Sequence, residues 1–169
     1  TIANNLRFGK EEATVDEMEK AANSAAASEF IDRFEGKYDH ELLQGATNLS
    51  GGQKQRLSIA RALIRRPSIL IFDDSTSAID AYSEKAVQQA IKDEFKNTTV
   101  IIISAKISSI INADQILVMK DGEIVRHGTP NEIINEELFR DIFSIRVKID
   151  REDGVPYFRP IGLVKEKSY

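Results

Sequence analysis

The chain has 169 residues, of which 41% are hydrophobic and 30% charged, and this fits one compact domain or a large part of one. Its net charge of -4 comes from 23 basic and 27 acidic residues, and no Lys/Arg block is long enough to follow a phosphodiester backbone, which argues against nucleic acid as a partner. The absence of cysteine excludes disulfides and thiolate metal sites, and no apolar run approaches the ~20 residues that a membrane helix needs.

The first part of the chain is predicted to be helical. The string from Thr14 to Glu17 has the form of a capping box, so a helix should begin at Val15. Ser28 is a candidate cap for a second, shorter helix that ends near Phe34.

A helix and two buried strands are predicted in the middle of the chain. Ser50 to Gln53 is a second capping box, and the helix that it begins should end before Pro67. Residues 69–72 and 99–104 are apolar runs of strand length, and we expect parallel strands that are covered on both faces. The helical stripe over residues 81–95 would join them as a strand-helix-strand crossover.

The last third of the chain contains a predicted hairpin. Asp121-Gly122 is a strong two-residue turn signal between the strand patterns at 115–119 and 123–127. A helix should follow with Pro130 at its first position. From residue 147 onward the pattern is mixed and predicts no definite element.

Two strings of the sequence carry its chemistry. Residues 49–56 read LSGGQKQR, and residues 69–80 read ILIFDDSTSAID. A Ser-Gly-Gly helix start presents backbone N–H groups and a positive dipole end to a phosphate, although an arbitrary triplet of this kind more often only caps its own helix. Asp73 lies where an apolar strand meets its loop, which is where open parallel sheets bind ligands, although solvated carboxylates are common there too.

Together the two strings resemble the signature motif and the Walker B strand with D-loop of ABC-type ATPases. The resemblance runs from residue 1 to about residue 145. It implies an α/β fold: a partial P-loop NTPase (RecA-like) parallel sheet with the ABC helical subdomain, lacking the Walker A portion. It further implies a helical subdomain with the signature motif at 1–66, a Walker B, D-loop and switch-loop part at 67–145, and an unassigned tail at 146–169. In the family the Walker A loop precedes a segment like residues 1–6, for which we recognise no cap, so we expect the chain to begin mid-domain.

The same resemblance implies roles for individual residues. The positions implied to contact the γ-phosphate of ATP on an opposing subunit are Ser50, Gly51, Gly52 and Gln53. Asp73 would hold Mg²⁺, through water because this ion dehydrates reluctantly. Ser77 and Asp80, in the D-loop, would communicate between the two ATP sites.

Three departures from the family pattern stand beside these matches. Asp74 occupies the position of the catalytic glutamate, and its side chain is shorter by one methylene, or ~1.5 Å, an error that can cost ~10²-fold in rate. Ala105 occupies the position of the switch histidine, and neither His40 nor His127 lies there. No G-x-x-x-x-G-K-[ST] string occurs in the 169 residues.

Two hypotheses of different classes follow. In the first, the chain resembles the degenerate-site half of heterodimeric bacterial multidrug exporters, at the cytoplasmic face of the cell membrane. Its partners would be a second nucleotide-binding domain and transmembrane domains, and it would use ATP and Mg²⁺ only in the assembled dimer. In the second, the chain is a truncated orphan, inactive alone, that acts at most as a non-catalytic docking module.

Other readings are weaker. SMC-like and DNA-repair ABC ATPases share the Ser-Gly-Gly core, but their signature continues differently and no coiled-coil heptads occur here. An engineered inactive protein would fit Ala105, although the variation at Lys106 and Asp74 argues against design. If central strands beside residues 69–73 are missing, the chain should expose a sheet edge and an apolar face and should self-associate.

Overall fold

The computed structural model describes residues 1–152 and 155–163 of the chain. Its α-helices are α1 (Ile2–Arg7), α2 (Val15–Ser24), α3 (Ser28–Ile31), α4 (Gly51–Leu63), α5 (Ala81–Glu94), α6 (Ile107–Ile110), α7 (Pro130–Ile133) and α8 (Glu136–Phe143). Its strands are β1 (Ile69–Asp73), β2 (Thr99–Ile103), β3 (Ile116–Lys120), β4 (Glu123–Gly128), β5 (Ile145–Glu152) and β6 (Val155–Leu163). Within the described ranges, none of the helices combines the length and apolar character needed to cross a membrane.

The chain forms two compact units, Thr1–Ala105 and Lys106–Tyr169. All of the residues predicted to carry chemistry belong to the first unit. This division reflects packing alone, so the functional boundaries after residues 66 and 145 stay a prediction.

Two helices begin where the local capping signals in the sequence predict. The predicted capping boxes at Thr14 and Ser50 are both formed, since each hydroxyl accepts the N–H of the residue three positions later. Helix α7 begins after Thr129, whose N–H donates to the Glu132 carboxylate at 2.8 Å, and Pro130 is at the first helical position as predicted. Thr1 also caps α1, because its hydroxyl accepts the N–H of Asn4, so the expectation of an uncapped start was wrong.

The helix predicted from Ser28 to about Phe34 is shorter than expected. It ends at Ile31, and Ala27 rather than Ser28 occupies the N-cap position, where it makes no side-chain hydrogen bond. Packing fixes this short helix, because Phe30 and Ile31 are both buried. The tertiary contact therefore overrides the local capping signal at Ser28.

The core of the first unit lies among its helices. Its largest fully buried hydrophobic side chains come from α1 to α5: Ile2, Leu6, Met18, Ile31, Leu63 and Val87. Directly after α1, Gly9 lies against the backbone of α4, where an added Cβ would be only 2.2 Å from the carbonyl oxygen of Arg61. A glycine is required there because no side-chain atom fits between the two segments.

Strands β1 and β2 are parallel and are joined by α5, as the crossover prediction required. Their predicted burial on both faces was wrong. Only Leu70 and Phe72 of β1 are buried, while Ile69 and Ile71 are 60% and 59% exposed. Strand β2 likewise alternates between exposed and half-buried residues. An apolar run indicates hydrophobic residues on both faces of a strand, but among the described residues only one face of β1 is covered.

The second unit contains two antiparallel hairpins and its own core. The turn between β3 and β4 is Asp121-Gly122, as predicted, and both residues have positive φ angles of 52° and 84°. Strands β5 and β6, in the tail for which no element was predicted, form the second hairpin. Residues 153–154 and 164–169 of that tail lie outside the described residues. The buried core side chains are Ile116, Ile133, Ile134, Leu138, Phe139 and Val147.

Candidate functional site

The amino-terminal end of α4 is closed by a reciprocal pair of hydrogen bonds. The hydroxyl of Ser50 accepts the N–H of Gln53 at 3.3 Å, and the side-chain oxygen of Gln53 accepts the N–H of Ser50 at 2.8 Å. The N–H groups of Gly51 and Gly52 precede the first intrahelical hydrogen bond, and Ser50 and Gly51 are exposed. This helix end can therefore offer two backbone donors and a hydroxyl to an anion.

The two glycines of the signature string face different constraints. A Cβ added at Gly51 would lie 3.6 Å from the Cβ of Ala78, an ordinary van der Waals distance. A Cβ added at Gly52 would lie 2.8 Å from the carbonyl oxygen of Ala78, closer than Cβ atoms in proteins approach other heavy atoms. Gly52 therefore permits direct contact between α4 and the loop that follows β1.

Gln55, which the sequence analysis did not single out, connects α4 to the same loop. Its side-chain nitrogen donates to the hydroxyl of Ser77 at 3.0 Å, and its side-chain oxygen accepts the N–H of Ala78 at 2.8 Å. In the sequence, only its place within LSGGQKQR could have pointed to Gln55. Its bonded partners lie 22 and 23 positions away, too far to be predicted from local pattern.

Arg56 and Lys54 fix the other sides of α4. The guanidinium of Arg56, whose side chain is 12% exposed, donates to the carbonyl of Ala26 at 2.9 Å and to the hydroxyl of Ser83 at 3.2 Å. It also lies over the ring of Phe30, 5.1 Å from the centroid. Lys54 donates to the carbonyl of Gly45 at 3.0 Å. Arg56 thus ties the signature helix both to the helices before it and to the start of α5.

Asp73 and Asp74 are exposed at the carboxyl end of β1. Asp74 has a left-handed backbone with φ of 46°, which Asp tolerates better than most residues, and its N–H donates to the carbonyl of Ile103 at 3.0 Å. Asp73 pairs in register with Ile103. Because β2 ends at Ile103, which pairs with Asp73, Ala105 lies two residues beyond the end of β2 that is next to these carboxylates.

The loop from Asp74 to Asp80 is held at its far end by α5. Thr76 donates its hydroxyl hydrogen to Glu84 at 3.0 Å. Asp80 is the N-cap of α5, and its carboxylate accepts the N–H and the hydroxyl of Ser83 at 2.9 and 2.8 Å. These two hydrogen bonds, the backbone one first, lower the pKa of Asp80 below its ordinary value.

The two strings contact each other where Gln55 meets the loop at Ser77 and Ala78. Ser77 and Asp80 lie in the loop, and Ser77 contacts α4. In the part of the chain that is described, no hydrogen bond joins Ser50 or Gln53 to the side chain of Asp73 or Asp74.

Comparison with known proteins assigns this arrangement to a class. A family model described as "ABC transporter" matches residues 1–77. The "ABC transporter B family member 14" of Arabidopsis thaliana is 45% identical over 135 residues, covering 80% of this chain and 11% of that protein. The "Uncharacterized ABC transporter ATP-binding protein YfiB" of Bacillus subtilis is 46% identical over 145 residues, covering 85% of this chain and 25% of that protein.

A solved structure agrees with these relatives. The chain is similar to a bacterial Atm1-family ABC exporter with ATP bound, with a TM-score of 0.76 and 35% identity, over 79% of this chain and 23% of that one. The fold and the site define part of an ABC-type nucleotide-binding domain, so the predicted fold class is confirmed. The chain belongs to the ABC transporter family, whose domains of this type are ATPases. It spans only 10% to 25% of the length of the curated relatives it matches.

The family implies ATP and Mg²⁺, and the residues present fit a part of that requirement. Among the described residues, no group of three or more His, Asp or Glu side chains could hold a metal ion. Mg²⁺ is usually bound through one or two carboxylates, several waters and substrate phosphates rather than by a protein cage. The exposed carboxylates of Asp73 and Asp74 fit that kind of site.

Proposed function

We propose that this chain serves an ABC exporter in two unequal roles at the cytoplasmic face of the membrane. Its signature helix contacts ATP held mainly by a second nucleotide-binding domain, while its own strand end belongs to a site that hydrolyses ATP poorly. The observation that supports this proposal is a capped helix end, exposed at Ser50 and Gly51, in a chain that has Asp74 and Ala105 at the two hydrolytic positions.

The helix end suits contact with a phosphate of a partner's nucleotide. The Ser50 oxygen accepts from Gln53, but its hydroxyl hydrogen can still be donated to an anion. Backbone donors and the helix dipole act in the same direction, because both favour negative charge at this end. The capping box fixes the helix start before the partner arrives, so little ordering remains to be done on binding.

The strand end suits nucleotide binding better than hydrolysis. Asp73 would interact with Mg²⁺ through water, and bound Mg²⁺ would neutralise charge on the phosphates. Asp74 supplies a carboxylate, but one methylene shorter than glutamate, so it is a poorly placed base for an attacking water. The methyl group of Ala105 offers no hydrogen bond to the γ-phosphate.

A pair of matched substitutions in the intact protein tests both roles. Asp74→Asn keeps a residue that tolerates the left-handed backbone and removes the carboxylate, and it should change ATP turnover by less than about twofold. Gly51→Asp has room for its Cβ but brings negative charge to the phosphate-facing helix end, and it should reduce turnover by more than about tenfold. Asp74→Glu combined with Ala105→His should raise turnover.

The outcomes separate the two roles. Loss of turnover in Asp74→Asn would show that this carboxylate is a working base, contrary to the proposal. Normal turnover in Gly51→Asp would show that the signature helix does not contact the nucleotide. Unchanged turnover in the double substitution would contradict the assignment of a poor site to this chain.

For a polypeptide limited to these 169 residues, we propose no ATP hydrolysis and at most a docking role on another ABC domain. The sequence contains no G-x-x-x-x-G-K-[ST] string to supply the lysine and backbone nest that hold a triphosphate. Titration of the chain with ATP and Mg²⁺ is the test. A dissociation constant below roughly 100 µM, about 5.4 kcal/mol, would refute this second proposal.

A further inference from the structure

We propose that Gln55 is a positioning residue: its carboxamide holds the loop at Ser77 and Ala78 against α4, and ATP turnover in the assembled protein depends on that link. This inference rests on the proposed function, since it concerns how the signature helix and the D-loop are aligned when a partner domain is bound.

The contact uses both ends of the carboxamide. The nitrogen donates to the Ser77 hydroxyl at 3.0 Å while the oxygen accepts the Ala78 N–H at 2.8 Å. A primary amide is suited to this arrangement because it combines a donor and an acceptor on one rigid plane. Two hydrogen bonds to adjacent residues fix the orientation of the loop as well as its distance from the helix.

The face of α4 that carries Gln55 is also the face that carries the signature glycines. Gly51 and Gln55 are four residues apart and therefore lie on one side of the helix. Gly52 adds a direct backbone contact to the same loop residue, Ala78. Loss of the Gln55 link would let the loop shift relative to the helix end that is proposed to meet the phosphate, and a misplacement of ~1 Å can cost ~10²-fold in rate.

Other contacts keep α4 in place without Gln55. Arg56 bonds to Ala26 and Ser83, Lys54 bonds to Gly45, and Leu57 is buried. The half-buried Gln55 contributes no comparable anchor to the core. Its loss should therefore appear in turnover rather than in stability, which separates a positioning role from a structural one.

The experiment uses the intact protein assembled with its partner domain, carrying Gln55→Met, Ser77→Ala or both. Methionine nearly preserves the volume of glutamine but removes both hydrogen bonds. The matched control is Gln89→Met, because the Gln89 amide is exposed on α5 and bonds to Asp93 of the same helix. Steady-state ATP turnover gives kcat and KM, and thermal unfolding monitors the fold.

We expect Gln55→Met to lower kcat by about tenfold or more, with KM for ATP changed by less than about threefold. Its Tm should stay within about 4 °C of the wild type, and Gln89→Met should match the wild type in all three measurements. Ser77→Ala should lower kcat less than Gln55→Met, and it should add less than about twofold in the double variant because its effect passes through Gln55.

Two kinds of result overturn the inference. If the wild type turns over ATP and Gln55→Met has the kcat of Gln89→Met, the positioning role is wrong while the proposed function stands. If the wild type shows no turnover that depends on a partner, the proposed function fails and the inference fails with it. If Gln55→Met does not fold, Ser77→Ala provides the test, because it removes one of the two hydrogen bonds at an exposed side chain. A kcat of Ser77→Ala equal to that of the wild type would then refute the link.

Discussion

Replacing Gly52 with alanine should destabilise the chain, because the added methyl group collides with the backbone of the loop after β1. The Cβ would lie 2.8 Å from the carbonyl oxygen of Ala78, whereas ordinary contact begins at 3.4 Å, so helix and loop must separate by about 0.6 Å. Overpacking of this kind costs about 1 to 3 kcal/mol. The higher helix propensity of alanine offsets less than about 1 kcal/mol of that cost in the first helical turn.

The neighbouring glycine provides the control. Gly51→Ala adds the same methyl group in the same helical turn, but its Cβ would meet Ala78 at 3.6 Å. We expect its free energy of unfolding to lie within about 0.5 kcal/mol of the wild type. Urea unfolding of the chain, followed by far-UV circular dichroism at low protein concentration, measures both variants by linear extrapolation. Equal stability of Gly52→Ala and Gly51→Ala would refute the reasoning from the close contact.

Three further predictions concern different parts of the first unit. Arg56→Met should lower the free energy of unfolding in urea by about 2 to 4 kcal/mol, because the Ala26 carbonyl and the Ser83 hydroxyl lose their donor. A loss below about 0.5 kcal/mol would contradict this. Because the pKa of Asp80 is lowered in the folded state, its cap stabilises the fold above pH 3.8, and this contribution is lost as pH falls through the folded-state pKa. The difference in free energy of unfolding between wild type and Asp80→Ala should therefore shrink on acid titration. A pH-independent difference would count against this reasoning. Threonine at both Ile71 and Ile101 should reduce self-association in sedimentation velocity, and unchanged association would exclude this sheet face as the contact.

Sequence reasoning succeeded where a few neighbouring residues determine the structure. The capping boxes at Thr14 and Ser50 and the hairpin turn at Asp121-Gly122 depend on contacts within three or four positions, and all were predicted correctly. The motifs around Ser50 and Asp73 also indicated the family from residue identity and spacing alone. The roles assigned to these individual residues stay predictions.

Contacts between distant segments could not be predicted in the same way. The bonds from Gln55 to the loop and from Arg56 to Ser83 span more than twenty positions, so their existence depends on the folded arrangement. The burial error at β1 has a related cause, because Ile71 is as apolar as Phe72 and only the packing partner distinguishes the two faces. In the tail, the mixed pattern predicted no definite element; Pro160 nevertheless lies in β6, because a two-stranded hairpin consists only of edges, where proline is tolerated.

Both ends of helix α4 lie close to a neighbouring backbone segment at a glycine. Gly9 meets the carbonyl of Arg61 near one end, and Gly52 meets that of Ala78 near the other. Glycine is already the smallest residue, so every replacement at these two positions pushes neighbouring segments apart and none can relieve the crowding. If all nineteen alternatives are tested at Gly9 and at Gly52 under selection for folded protein, each of them should therefore be depleted.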